Sequence, residues 1–391
     1  MDITTYLEPV EISNFEHYDN LNSKRLGDII KSYTKQDIFP DIEDIDIALI
    51  GINEDRKAVN NKGCALAPKY IRDKLYKLYP GDYSIKIADI GNIKKGFTIK
   101  DTYFAVSFVI AELIKNNILP VIIGGSQDLT YANYRAYENL GQIINIVQVD
   151  PCFDLGTTEQ EIDSHSYLSK IILHQPNYLF NYTNIGYQTY FVDPKAIELM
   201  KNLYFDTHRL GIVRTDIKEI EPIIRNADML SFDISAIKQS DAPGNKNASA
   251  NGFYGEEACK IVRYAGISDK LTSIGFYEMN PDIDKQEQTS NLLAQMIWYF
   301  IDGYYNRKND FPYKEKDNYI KYLVTFKNHQ HEIIFYKSKK SNRWWMEIPC
   351  PVNLKLKYKR HYLISCSYND YQTACKQEIP DRWWKGYQKL M

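Results

Sequence analysis

No stretch of this chain approaches the ~18 consecutive apolar residues that a helix needs to cross a bilayer, which removes a helical membrane span from consideration. Its six cysteines (Cys64, Cys152, Cys259, Cys350, Cys366, Cys375) have no paired spacing. That argues against a disulfide framework and against a zinc ribbon. No repeat or low-complexity segment is evident. The first residues, Met-Asp-Ile-Thr-Thr-Tyr, lack the basic and apolar regions of a secretory leader, so a cytoplasmic protein is expected.

What is present suits a large globular body. Hydrophobic residues make up 44% of the 391 and charged residues 25%, enough for a sizeable core under an ordinary soluble surface. The length fits one large α/β domain with an additional module. The net charge of −2 conceals an asymmetry. Residues 311–391 hold 16 Lys and Arg against 7 Asp and Glu, a balance of +9, and the remainder of the chain carries −11. A basic segment on an acidic body points to a distinct module, which either docks on its own body or reaches a partner.

Residues 1–44 are polar, with one short helix expected near 23–32, and read as an N-terminal extension. From residue 45 the pattern alternates. Strands are expected at 45–52, 85–90, 119–123, 143–149, 182–187, 210–213, 229–232 and 271–276. Helices are expected at 67–78, 102–116, 129–140, 194–203, 255–265 and 285–304. Such alternation implies βαβ units and a mostly parallel sheet covered on both faces. Beyond residue 309 the texture changes. Residues 319–326 and 332–336 form a hairpin candidate, 343–348 a third strand, and 370–376 and 381–390 short helices. His329 and His331 at the hairpin turn have no nearby Cys or Asp and read as turn residues. Trp344 and Trp345 are adjacent on a strand, so they face opposite ways, and one of them should cover a neighbouring surface or a partner. Arg343 and Arg382 immediately precede the two Trp pairs, a composition common at interface hot spots.

Three strand ends carry the chemistry. Gly124-Gly125-Ser126-Gln127-Asp128 follows the run 119–123, Val149-Asp150-Pro151-Cys152-Phe153-Asp154 closes 143–149, and Ser231-Phe232-Asp233-Ile234-Ser235 closes 229–232. Side chains two apart on extended backbone point the same way, so Asp150, Cys152 and Asp154 share a face, as do Asp233 and Ser235. Ligands of open α/β sheets bind beyond the carboxyl ends of the strands.

These motifs resemble those of the ureohydrolases, the superfamily of arginase, agmatinase and formimidoylglutamase. That family carries Gly-Gly-Asp-His, Asp-x-His-x-Asp and Ser-x-Asp-x-Asp, whose six ligands hold two manganese ions. In this chain Gln127 and Cys152 stand at the two His positions and Ser235 at the last Asp, while Asp150, Asp154 and Asp233 keep the family's residue type. Ala48-Leu49-Ile50-Gly51, Asn61-Lys62-Gly63-Cys64, Ala67-Pro68-Lys69-Tyr70-Ile71-Arg72, Asp241-Ala242-Pro243-Gly244 and the stretch from Tyr277 to Asp284 follow in family order. The resemblance spans roughly 45–305 and implies a three-layer α/β/α fold around an eight-stranded, mostly parallel sheet. It divides the chain into an extension (1–44), a ureohydrolase-like domain (45–308) and a small β-rich, Trp-containing C-terminal extension (309–391). It also implies that His165 stands where the family keeps a proton-shuttling His, and Glu278 where members bind a guanidinium or formimino group.

The donor set implied for one metal is Gln127, Asp150, Asp154 and Asp233, three carboxylates and an amide oxygen. Such hard oxygens suit Mg²⁺, Ca²⁺ or Mn²⁺. Cys152 and Ser235 are poor partners for a second manganese, because thiolate is soft and a hydroxyl binds weakly. No metal or one hard cation is therefore expected, and a dinuclear manganese site is not. A thiol mechanism through Cys152, His165 and Glu278 is disfavoured, because nearby carboxylates raise the thiol's pKa. The reading that follows is a catalytically inactive ureohydrolase-fold protein serving as a scaffold through 309–391, contacting a protein or an acidic or membrane surface, and able to form a homo-oligomer. Its alternative is an active amidinohydrolase that cuts a guanidino or formimino C–N bond. Nucleic acid is not expected, since the tail carries no RNA-binding signature.

Overall fold

The computed structural model describes residues 2–11, 24–36, 38–84, 86–157, 160–312, 316–327 and 332–390. The hairpin turn with His329 and His331 lies outside them. Eight parallel strands build the main sheet: β3 (Ile47–Ile52), β4 (Ile87–Ile93), β5 (Leu119–Ile123), β6 (Ile144–Val149), β7 (Leu179–Tyr187), β8 (Asp206–Arg209), β9 (Met229–Asp233) and β10 (Ser273–Tyr277). Two short N-terminal strands, β1 (Leu7–Glu8) and β2 (Lys31–Ser32), pair with β4, β1 antiparallel and β2 parallel. The sheet thus has ten strands, in the order β1-β4-β3-β5-β10-β9-β6-β7-β8 with β2 beside β4. β3, β5, β6, β9 and β10 are buried at every position, as expected of parallel strands covered on both faces.

The strand expected at 210–213 is a helix, Leu210–Thr215. Leu210 and Val213 are its buried residues, and their spacing of three is helical rather than extended. The strand is the preceding polar run Asp206–Arg209, which pairs only with β7 at the sheet edge and is half exposed. An edge strand does not need the apolar composition of a central one. The other expected helices form, including Ile99–Lys115, Leu129–Asn139, Gly255–Gly266 and Gln288–Tyr305. Thr98 starts the first of these with a capping box, its hydroxyl accepting from Asp101 N while the Asp101 carboxylate accepts from Thr98 N.

The tail forms its own antiparallel sheet, β11 (Tyr319–Thr325), β12 (Glu332–Ser338), β13 (Trp344–Glu347) and β14 (Leu363–Cys366), followed by helices Tyr368–Cys375 and Asp381–Leu390. β14 follows a basic turn region and is too short to stand out in the sequence. The module docks on its own body at the amino ends of the main strands. Arg360 reaches the buried Asp228 just before β9, with contacts of 3.0 and 2.6 Å. His361 Nε2 meets the carbonyl of Ile143 at 3.1 Å, and its ring stacks on Phe180. Trp344 packs inside the module against Tyr371, while Trp345 faces outward and lies 4.4 Å from the Arg225 guanidinium of the body. The opposite-face expectation for this pair holds, and the surface covered is the protein's own. Arg343 and Arg382 likewise bind the body, through the carbonyls of Ile267 and Glu219. Among the described residues no helix is long and apolar enough to cross a membrane.

Candidate active site

The motif-bearing strands β5, β10, β9 and β6 are consecutive neighbours in the sheet. Their parallel registers bring Gln127, Glu278, Asp233 and Asp150 to one edge, the carboxyl ends of the strands. The tail docks at the opposite end. Gly125 makes the first turn possible, because a Cβ there would lie 1.8 Å from the carbonyl oxygen of Glu54. Ser126 N donates to that same carbonyl at 3.0 Å.

Gln127 is fully buried. Its backbone N donates to Glu278 Oε1 at 2.8 Å, and its Nε2 donates to Ser231 Oγ at 3.0 Å and Tyr167 Oη at 3.2 Å. Its Oε1 has no hydrogen-bond partner. Both hydrogens of the amide are therefore committed, and an unsatisfied carbonyl oxygen is left inside the site.

Asp150 and Asp154 are held by a neutral donor. Gln148 Nε2 donates to Asp150 Oδ2 at 2.7 Å and to Asp154 Oδ2 at 2.9 Å, and Tyr182 Oη donates to Gln148 Oε1 at 3.0 Å. Asp150 Oδ1 accepts from Cys152 N at 2.6 Å, and Asp233 Oδ1 from Ser235 N at 2.7 Å. Asp154 sits at φ 51°, a left-handed turn that an aspartate tolerates better than most side chains. Glu278 also has positive φ, 69°. It is not the sheet-edge ion pair that an ordinary strand-end glutamate would make. β10 is central, and Glu278 Oε2 accepts from Asn61 Nδ2 at 2.7 Å while Asn61 and Asn245 cap its carbonyl.

Burial dominates the electrostatics. It raises Asp150 well above the usual carboxylate range, and the charges of Asp154 and Asp233 add to it. Asp154 is pushed to about 7 by burial and then by Asp233, and Asp233 to about 6 by burial. Glu278 is raised well above its ordinary value, by burial and then by Asp233. The leading influences on these four acids include no lysine or arginine. Burial and the three aspartates push the Cys152 thiol upward too, so it is protonated at neutral pH and is no nucleophile. Its sulfur lies 4.0 Å from the carbonyl of Phe191. His165 is exposed on the loop after β6, with its backbone N bonded to Asp163 at 3.0 Å. Exposed as the residue is, partial desolvation of its ring lowers its pKa, and the Asp163 charge opposes the shift.

Among the described residues no group of three or more His, Cys, Asp or Glu side chains is arranged as ligands around one point. The donor chemistry is nevertheless suited to one hard ion: three carboxylates and the unpartnered Gln127 Oε1. Cys152 and Ser235 offer a second ion only a soft sulfur and a neutral hydroxyl. Sequence reasoning missed Gln148, and quoted Ser231 and Asn61 only as members of motifs, with no role assigned. The first two were within reach, since each stands two residues before a motif aspartate on the same strand face. Asn61 arrives from a distant loop, and no local pattern shows that it reaches Glu278.

The family model of the arginase family matches residues 45–302, and the chain belongs to that family. A formimidoylglutamase of Staphylococcus haemolyticus (strain JCSC1435) is 26% identical over 307 residues, 76% of this chain and 92% of the relative. One from Staphylococcus aureus (strain MRSA252) is 25% identical over 299 residues, 73% of this chain and 93% of the relative. Among solved structures, formimidoylglutamase from Bacillus subtilis superposes with a TM-score of 0.67 at 20% identity, covering 76% of this chain and 97% of that one. Trypanosoma cruzi formiminoglutamase, solved with Mn²⁺, gives 0.65 at 19% identity over 73% of this chain and 100% of that one. These show the α/β fold of the main-sheet body; the C-terminal antiparallel sheet is seen in this chain's own structure. The relatives named above are formimidoylglutamases, which are hydrolases, and the Trypanosoma cruzi structure contains Mn²⁺.

Proposed function

We propose that this chain is a hydrolase of linear amidines, cutting the C–N bond of a formimino or guanidino group, with one hard divalent cation where relatives carry a manganese site. The observation that carries the reading is the buried, unpartnered Gln127 Oε1, on a side chain whose Nε2 bonds the same Tyr167 that bonds Asp154. An amide oxygen left without a donor among acids is stabilised by a cation, and the buried acids require the same neutralisation. When bound, such an ion would supply the charge that makes water acidic near neutral pH. Glu278, fixed by Asn61 and by the Gln127 N–H, walls the site from the β10 side and can orient a planar nitrogen group. His165, neutral near pH 7 and open to solvent, can accept a proton at its imidazole and release it to bulk water.

A second reading has its own support. Gln148 already spans Asp150 and Asp154 with one NH₂ group, as an amide does where no cation is needed. That favours an inactive member of the family acting as a scaffold. Metal analysis of the full-length protein, combined with assays for urea, ammonia and formamide release from guanidino and formimino substrates, separates the two. One cation per chain, with turnover lost in Asp233→Ala, supports the hydrolase. Neither cation nor turnover on any substrate removes it and leaves the scaffold. Two manganese ions per chain with turnover would overturn the single-cation assignment.

A further inference from the structure

Away from the candidate active site, a groove of about 670 Å³ opens between the helices Ile99–Lys115 and Leu129–Asn139, with Lys57 and the segment 160–162 along its side. It shares no residue with the acidic cluster. Its floor is aromatic. Tyr103 and Tyr131 meet edge to face with ring centroids 6.0 Å apart, and Phe104 beside them is 56% exposed. An aromatic ring left this open beside two others leaves apolar surface wet that a planar ligand would cover.

The lining charge has one dominant sign. Lys57, Lys100, Arg135 and Lys170 face the groove, and among the described residues Glu161 is the single acid in its wall. The Lys57–Glu161 bond, 2.6 Å, is made to a carboxylate that is 88% exposed. Such a bond is screened and weak, so an incoming anion can compete for the ammonium. The Arg135 guanidinium lies over the Tyr131 ring, 5.8 Å from its centroid, donates Nη1 to Tyr131 Oη at 3.2 Å and bonds Glu138 along its own helix, so it is fixed on the aromatic floor. Cations around an aromatic surface match a flat apolar body carrying a negative group, which neither a bare phosphate nor a neutral hydrocarbon satisfies in full.

We propose that this groove is a binding site for a planar aromatic anion, a nucleoside phosphate or an aryl carboxylate. The exposed ring of Phe104 takes its flat face, and the cations centred on Lys100 and Arg135 take its charge. The site has a path to the strand-end cluster. Tyr103, in the groove floor, donates its hydroxyl to Asp128 Oδ2 at 2.5 Å, and Asp128 adjoins Gln127 in the turn after β5. An occupant that presses on Tyr103 therefore acts on the turn that carries a cluster residue.

Calorimetric titration of the full-length protein with AMP, ATP, 1-naphthoate and inorganic phosphate tests the assignment. One of the aromatic anions should saturate with a Kd below about 1 mM, while phosphate alone binds more weakly. Nucleotide binding without naphthoate binding, or the reverse, identifies the source. Lys100→Glu and Phe104→Ser change exposed side chains and should each weaken that ligand about tenfold or more, by loss of charge or of stacking. The proposal fails if neither aromatic anion saturates, if phosphate binds as tightly as they do, or if both variants, folded by circular dichroism, titrate like the wild type. None of these readouts depends on hydrolysis, so the groove can fail without the proposed activity failing.

Discussion

Arg360→Ala should weaken the docking of the C-terminal module on the body, and the structure gives the size of the effect. Arg360 donates Nε and Nη2 to Asp228 Oδ1 at 3.0 and 2.6 Å, and Nη2 also donates to the carbonyl of Lys270 at 2.9 Å. The Asp228 side chain is 0% exposed and that of Arg360 27%. Removing one partner of a buried pair costs about 3–5 kcal/mol, because the other charge is left without compensation. Lys270 Nζ remains 3.6 Å from Asp228 Oδ2, and Asn145 N still donates to that oxygen. The expected loss therefore sits at the low end, about 3 kcal/mol. With a urea m-value of at least about 3 kcal/mol per molar for a chain of this size, the midpoint falls by up to about 1 M. The pH dependence carries a sign. Burial alone would raise the Asp228 pKa, but Lys270 and Arg360 outweigh it and hold the carboxylate below its ordinary value. A depressed folded pKa means that the unfolded chain binds the extra proton. The stabilisation is complete above the unfolded value of about 3.9 and is lost as pH falls through the lower folded value. The difference between wild type and Arg360→Ala should shrink on acidification below about pH 4. An unchanged urea midpoint at pH 7, or a gap that widens in acid, would refute the electrostatic account of docking.

Three further outcomes follow from the same contacts. Truncation after Asn309 bares the amino ends of the strands around Phe180 and Asp228, so the shortened chain should aggregate or lose thermal stability, and a soluble product melting like the full chain would show the module to be dispensable for folding. Gln148→Leu leaves Asp150 and Asp154 without their shared donor and should cost about 1–3 kcal/mol in denaturant unfolding; a neutral result would mean the amide does not hold the acids. The triple change Gln127→His, Cys152→His and Ser235→Asp supplies ligands better matched to manganese, and metal analysis should show more Mn²⁺ per chain than in the wild type, whereas equal contents would contradict the donor-chemistry reasoning.

The sequence by itself determined the central sheet and the meeting of its motifs. Continuous apolar runs such as 119–123 and 229–232 can be satisfied only by strands buried on both faces, and parallel strands end at a common edge. The placement of Gln127, Asp150 and Asp233 therefore followed from local pattern. Residue alternation also told that Trp345 must look away from Trp344's core. Where composition stops reporting burial, the sequence misled: β8 is polar because an edge strand has one neighbour, so its apolar successor at 210–213 passed for the strand. Only tertiary structure decided what each motif side chain touches. Asn61 reaches Glu278 across 217 positions, the hydrogens of Gln127 are taken by Ser231 and Tyr167, and Arg360, Arg382 and Lys385 of the basic tail pair with Asp228, Glu219 and Asp206 of its own body. Hydrogen-bond satisfaction and charge pairing are properties of atoms brought within about 3 Å of each other, and no periodicity along the chain encodes which distant partner arrives.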